Sequence, residues 1–460
     1  MQIPMRPPSF MEMLGTQFSR PSGPKRLLEI VAASGGPAPE GKYRHWDILR
    51  HLKPPRDLTV DEWWFGVKFA RQPLYHELPL RDTAGAPFRY AVVDPALRML
   101  HHVDKNASGA IRVDEVVTNP GTRDTYLVKS LMEEAITSSQ LEGASTTRAV
   151  AKDMLQRGLK PRDRSQQMIY NNYVAMQFIR SLTDQPLTPG IVLELQRLLT
   201  VDTLDDPGAA GRLRLADEPI VVADPLGKLL HTPPLAEQLS ARLALLCDFA
   251  NGSTAQEARF VHPVLRAIIL HFWLAYDHPF VDGNGRTARA LFYWCMATQG
   301  YWLSEFVSIS RILKRAPTRY ARAFLYAETD DNDVTYFILN QLRVLVRAIQ
   351  ALHEYLAAKA TEVRRTETLL QHSGAINAAL NHRQLALLNH ALNHQGFIYT
   401  FESHRRSHHV SYQTARTDLL SLAEHALLER RRRGRTFVFL SPPDLKARLE
   451  RMGEAASARR

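Results

Sequence analysis

Cysteine is almost absent from this chain. Only Cys247 and Cys295 occur in 460 residues, far apart and each within apolar helical text. So few thiols exclude a disulfide scaffold. The two read as reduced, packed side chains of a cytoplasmic protein, with a single bridge between them left open. Cys/His spacing of the metal-binding kind is missing too, and the 18 histidines are scattered, which reads as surface or core histidines rather than ligands. No apolar run reaches the length that spans a bilayer. The opening Met1-Gln2-Ile3-Pro4-Met5-Arg6-Pro7-Pro8 has no apolar signal-peptide core, so no membrane partner is expected. Acidic residues are the minority, 47 Asp and Glu against 58 Lys and Arg, for a net charge of +11.

What is present is 45% hydrophobic residues, ample for buried cores, in a length that suggests two to four domains. Residues 1–42 are rich in Pro, Gly and Ser, with one short helical piece near Leu27–Ala33, and read as a flexible N-terminal tail. From Tyr43 the text is compact. Trp46, Leu49, Leu52, Trp63, Trp64, Phe65, Val67 and Phe69 follow helical spacing, broken by Pro54-Pro55, with a β-like stretch from Phe88 to Val93. This predicts a small helical N-terminal subdomain over 43–119. Helical periodicity continues to about 350, so the fold class is mainly α.

Chemically able residues crowd together in one place, His278-Pro279-Phe280-Val281-Asp282-Gly283-Asn284-Gly285-Arg286-Thr287-Ala288-Arg289. Both flanks, from Val264 and to Ala297, are almost wholly apolar and read as buried central helices. Gly283-Asn284-Gly285 opens the second of them. Glycines admit close backbone approach, and a helix N-terminus offers unpaired N–H groups and a positive dipole end, an anion cradle suited to phosphate. Arg286 and Arg289, three apart, add two cations and suggest a di- or triphosphate. Asp282 at the lip repels phosphate unless a cation lies between, and Mg²⁺ held by one carboxylate plus phosphate oxygens is the usual solution. His278 is the group here that takes a proton near pH 7, and the helix N-terminus should keep it neutral. Phe280 reads as the apolar anchor of the loop. The stretch therefore predicts phosphate-ester chemistry on a nucleotide, with His278 activating a hydroxyl nucleophile.

The same stretch resembles the signature of the Fic family, His-x-Phe-x-Asp/Glu-Gly-Asn-Gly-Arg-x-x-Arg, at every fixed position. The resemblance implies a helical catalytic domain over 120–350 that transfers AMP from ATP to a Tyr, Thr or Ser hydroxyl of a target protein or of itself. It implies His278 as base, Asp282 as ligand of Mg²⁺ or Mn²⁺, Gly283, Asn284 and Gly285 around the α-phosphate, and Arg286 and Arg289 on the β- and γ-phosphates. The family's kinase-like branch has lysine at the second glycine, so Gly285 favours nucleotidyl transfer.

Upstream, Leu127, Leu131, Ala135 and Ser139 share a helical face, and Gly143 is a natural stop. Glu142 then falls in the last turn, the wrong end for an anion, and wants a cation from elsewhere. Ser139 to Glu142 also reads as a capping box, against which Gly143 and the Ser/Thr run after it argue. The segment Ser138 to Glu142-Gly143 resembles the inhibitory motif of Fic proteins, which implies that Glu142 pairs with Arg289 and holds ATP in an unproductive pose. A carboxylate and a phosphate compete for one guanidinium. Glu218 to His231 carries two β-rich arms around Asp224-Pro225-Leu226-Gly227, a hairpin signal. The resemblance makes this a flap on which an extended target segment docks.

After a helical linker over 351–375, residues 376–443 read as helix, short polar helix, Ser411-capped helix and basic hairpin, the pattern of an α+β winged helix-turn-helix. Residues 444–460 read as a C-terminal tail. From Gln371 to Arg460 there are 14 Lys and Arg against 7 Asp and Glu, so the positive charge is concentrated here. Arg416, Arg430, Arg431, Arg432, Arg433 and Arg435 are candidate DNA contacts, with protein docking or homodimerisation as the other use of such a module. Three readings remain open: a self-inhibited protein adenylyltransferase, a hydrolase that removes AMP through the same site, and a nucleotide-sensing DNA-binding regulator.

Overall fold

Helix α11 (Pro263–Asp277) and helix α12 (Asn284–Thr298) are buried on nearly all sides. Neither has a polar stripe, so neither can lie at a surface. They pack against each other, and the rest of the first unit is arranged to cover them. The structure is a computed structural model that describes residues 1–19, 23–107, 120–224, 226–253, 260–371, 380–393, 397–408, 410–433, 436–449 and 451. It divides into two units, Met1–Leu352 and His353–Arg460.

The first unit begins with α1 (Phe10–Phe18), α2 (Gly23–Ala33), α3 (Trp46–Leu49) and α4 (Val60–Arg71). The expected flexible tail over 1–42 is not found. Ser9 caps α1, and Phe10, Met13, Leu14, Leu27 and Ile30 form an apolar stripe packed on Trp46, Trp63, Trp64 and Phe65. The Pro and Gly that suggested disorder fall largely before and between the helices. At Gly66 a Cβ would stand 2.6 Å from Ser34 Cβ, so α4 meets the end of α2 where only glycine fits.

Strands β1 (Tyr75–Arg81) and β2 (Pro87–Ala91) form an antiparallel hairpin, and α5 (Asp94–Ala107) follows. The core is then covered by α6 (Pro120–Leu141), α7 (Arg148–Arg157), α8 (Arg164–Arg180), α9 (Pro189–Thr200) and α10 (Leu239–Asn251). Between α9 and α10 lies a second hairpin, β3 (Val222–Ala223) and β4 (Leu229–His231). It is shorter than the sequence suggested. Glu218 accepts from the Arg212 guanidinium at 2.8 and 2.7 Å and from Leu215 N at 2.7 Å, which holds the first arm as a turn. Helices α13 (Ile309–Leu313), α14 (Pro317–Thr329) and α15 (Thr335–Gln371) complete the series, α15 running on into the second unit.

A buried polar cluster ties the first elements to the α14–α15 turn. Lys68 Nζ lies 2.7 Å from Asp330 Oδ1, and Arg71 Nη1 donates to Tyr336 OH at 2.8 Å. Tyr43 and Tyr75 donate to Asp333 Oδ2 at 2.5 and 2.9 Å. Buried charge is stable only when paired in this way.

The second unit contains α16 (His382–Asn393), β5 (Ile398–Tyr399), α17 (Phe401–His408), α18 (Tyr412–Glu424), β6 (Glu429–Arg433) and β7 (Thr436–Leu440), with sheet order β5-β7-β6, antiparallel throughout. Its core includes Leu388, Leu419, Leu422, Leu427 and Phe439, and also Leu445 and Leu449. Residues 445–449 are helical, so the expected C-terminal tail is too long at its start. Among the described residues no helix is long and apolar enough to cross a membrane.

Candidate active site

The loop between α11 and α12 is built from its own side chains. His278 ends α11 in the left-handed region at φ 45°, and Gly283 starts α12 at φ 86°. Phe280 is fully buried. The Asn284 side chain closes the loop, accepting from Phe280 N at 2.9 Å and donating to Phe280 O at 2.8 Å. Both ends of its amide are engaged within the loop, so what position 284 offers an anion is its backbone N–H. No side chain caps α12, so the N–H groups of its first turn point outward unpaired by the helix.

His278 Nδ1 lies 3.2 Å from the carbonyl oxygen of Ala275. A carbonyl only accepts, so Nδ1 carries the proton and Nε2 of the neutral ring keeps its lone pair. Burial pushes the His278 pKa down, and His231 and Arg214 push the same way against Ala275 and Glu142. Burial, the largest cause, thus favours the neutral form.

Three residues that the sequence did not single out hold this loop. Buried Arg214 donates through Nε to His278 O at 3.1 Å, through Nη2 to Pro234 O, and through its own backbone N to Pro279 O at 2.9 Å. Gln196 Nε2 donates to Asp282 O at 3.1 Å, while its Oε1 accepts from Gly211 N at 2.6 Å. His231, in β4, has Nε2 2.7 Å from Tyr276 O and Nδ1 2.8 Å from Glu328 Oε2. Both partners are acceptors, so the ring donates twice and is an imidazolium. Burial alone would lower its pKa, but Glu328 and the Tyr276 carbonyl raise it.

The two arginines of the loop point to different helices. Arg286 is buried, with Nη1 donating to Leu199 O at 2.8 Å, Nη2 to Asp282 Oδ2 at 3.1 Å, and Nε without an acceptor. Arg289 is also buried. Its Nε donates to Ser138 Oγ at 2.9 Å and its Nη2 to Ser138 O at 3.1 Å and to Glu142 Oε1 at 2.8 Å. Ser138 lies in a buried run of α6 that ends at Ser139, and Glu142 follows that helix directly, with Gly143 turning the chain away at φ 94°. The Glu142 carboxylate lies on the first turn of α12. A Cβ at Gly285 would stand 2.2 Å from Glu142 Oε1. Asp282 Oδ1 accepts from Gly283 N at 2.5 Å, and its side chain is 38% exposed at the lip.

A closed loop with a neutral imidazole, an open helix N-terminus and a carboxylate seated on it is the arrangement to compare with known proteins. Residues 186–296 match the model of the Fic/DOC family. The match includes Gln196, Arg214, His231 and the whole 278–289 loop, and stops short of Glu142. The chain is 36% identical over 85 residues to the protein adenylyltransferase Fic of Nematostella vectensis, covering 18% of this chain and 17% of that protein. It is 28% identical over 281 residues to the protein adenylyltransferase Fic of Drosophila grimshawi, covering 60% and 54%. The chain thus spans about half, or less, of these curated relatives. Among solved structures, a Fic family protein from Desulfovibrio desulfuricans is 18% identical and superposes with a TM-score of 0.50, over 77% of this chain and 98% of that one. That likeness shows the fold.

Proposed function

We propose that this chain is a self-inhibited protein adenylyltransferase, moving AMP from ATP to a Tyr, Thr or Ser hydroxyl of a target protein or of itself. The observation that carries this reading is the contact of Glu142 with Arg289 over the first turn of α12, beside a histidine whose Nε2 is free to accept a proton. The Fic/DOC match across the loop and the curated relatives named protein adenylyltransferase support it.

The chemistry follows from the groups present. The N–H groups of Asn284, Gly285 and Arg286 and the Arg289 guanidinium bind phosphate oxygens once Glu142 withdraws. Asp282, an exposed hard oxygen donor at the lip, fits a Mg²⁺ ion completed by phosphate oxygens and water, which would neutralise charge on the leaving group. The target hydroxyl oxygen attacks the α-phosphorus, its proton passes to His278 Nε2, and the bond to the β-phosphate breaks to release pyrophosphate. Arg214 and Gln196 keep the His278 and Asp282 carbonyls in place while this happens. We read the second unit, by its element order and the β5-β7-β6 sheet, as a winged helix.

Intact mass tests the proposal. Purified Glu142→Gly incubated with ATP and Mg²⁺ gains one AMP or more, the wild type far less, and Glu142→Gly with His278→Ala none. Equal labelling of wild type and Glu142→Gly would refute the inhibitory role. Labelling that survives His278→Ala would refute the base.

A further inference from the structure

In the second unit, the outer face of the first turns of α18 is polar, and the β6–β7 hairpin carries exposed arginines. α18 is capped by Ser411, whose side chain accepts from Thr414 N at 3.1 Å. Ala415, Asp418, Leu419 and Leu422 face inward. Asp418 clamps the helix, accepting from Asn381 Nδ2 and Arg383 Nε, both at 2.8 Å, with His404 Nε2 at 3.1 Å. The opposite side, Tyr412, Gln413, Arg416 and Thr417, is exposed. A helix fixed by a buried carboxylate and capped at its N-terminus is a rigid element, and its outer face holds no apolar stripe that needs covering.

The strand register places Arg430 and Arg432 on one face of the hairpin. Arg430 pairs with Phe439, and Arg432 with Phe437. Directly opposed residues share a sheet face. Phe439 is fully buried, its ring 5.2 Å from that of Phe401, which lies 5.7 Å from Tyr412 at the start of α18. The face bearing Arg430 and Arg432 is therefore the one turned toward α18. Beyond Phe439 it leaves the core: Phe437 is 42% exposed, with the Arg430 guanidinium 5.1 Å from its ring. Residues 371–460 carry 14 Lys and Arg against 7 Asp and Glu, so a strongly anionic partner is favoured. Arg433 has no described side chain, and Arg435 lies outside the described residues.

We propose that this unit binds duplex DNA, with the N-terminal half of α18 in the major groove and Arg430 and Arg432 on the adjacent phosphates. An α-helix with its side chains is about 10–12 Å across and the major groove about 12 Å wide. Gln413 and Arg416 are the side-chain types that read adenine and guanine edges there. Single strands need a run of exposed aromatics on which to stack, and this face offers none beyond Tyr412 and Phe437. The inference rests on the winged-helix reading of the second unit and not on the chemistry at His278.

The test uses the full chain and a short labelled mixed-sequence duplex, read by fluorescence anisotropy across a salt series. Arg416→Ala with Arg430→Ala and Arg432→Ala weakens binding at least about tenfold and lowers the slope of log affinity against log salt by about 2. The Lys versions of the three substitutions keep most of the slope. A control with the same charge loss on the first unit, Lys152→Ala, Lys160→Ala and Arg162→Ala, changes affinity less than about twofold. Equal weakening by the two triple variants overturns the inference, as does binding to single-stranded DNA or duplex RNA as tight as to duplex DNA. If DNA binds in this way but no AMP is transferred, the inference stands and the proposed chemistry falls. Transfer with no DNA binding has the opposite meaning.

Discussion

At the scale of single residues, the site's behaviour turns on which groups hold which proton. An imidazole whose pKa is pushed down stays neutral as the medium acidifies. Glu142→Gly protein should therefore keep its rate at pH 6.5 and lose it only at lower pH, since burial, His231 and Arg214 all lower the His278 pKa, and the variant also lacks Glu142, which raises it. The pH dependence of kcat/KM for AMP transfer checks this, and an inflection above 6.5 contradicts it. Adding Arg214→Gln removes one nearby cation and should move the inflection upward, while Arg214→Lys leaves it nearer its place. These residues also mark how far the sequence could be read. His278 through Arg289 are contiguous, and Ser138 to Gly143 lie within six residues, so spacing brings them to notice. Arg214, Gln196 and His231 act on backbone carbonyls, and a carbonyl looks the same at every position of a sequence.

At the scale of elements, the His231 side chain holds the β3–β4 hairpin to the end of α11. The His231 contacts need both ring protons. Its pKa is raised, so this stabilisation is complete below the ordinary histidine value and is lost as pH rises through the raised one. Hydrogen exchange of amides in 222–231 should speed up over that range beyond the intrinsic pH effect, with Glu328, Asp277 and Tyr276 as the other titratable neighbours. In His231→Gln exchange should be fast at all pH values and without the step. Packing at α2 and α4 is a second case. Gly66→Ala should destabilise the first unit by about 1–3 kcal/mol, because backbone elements and not a flexible tip must move apart. The α2 helix was only partly legible and α1 was missed, since Pro and Gly between them dilute the apolar stripe in any sequence window.

At the scale of the whole molecule, Lys68 and Asp330 join segments 262 residues apart. Burial would raise the Asp330 pKa, but its cationic neighbours, Lys68 foremost, hold it down to about 2. The contribution is present above the ordinary aspartate value and is lost as pH falls toward 2. Asp330→Asn should cost about 3 kcal/mol near pH 7, at the lower end for a broken buried pair, since Asp331 lies 3.3 Å from the same ammonium. All six tryptophans lie in the first unit, so urea unfolding followed by their fluorescence reports on that unit, and a loss under about 1 kcal/mol would show the pair to be dispensable. A helical fold and its central pair of helices were readable from apolar runs. This cluster was not, because a lysine at 68 and an aspartate at 330 look like any two surface charges until the chain is closed.

The seat of Glu142 on Gly285 has a consequence for descent. No side chain fits at 285 while the carboxylate occupies its place, so a change at one position bears on the other. A lineage that trades the glycine for a larger residue must shed the glutamate or move it. One that sheds the glutamate releases 285 to vary as far as its ligand permits. Across relatives of this chain, the histories of these two positions, 143 residues apart, should read as one.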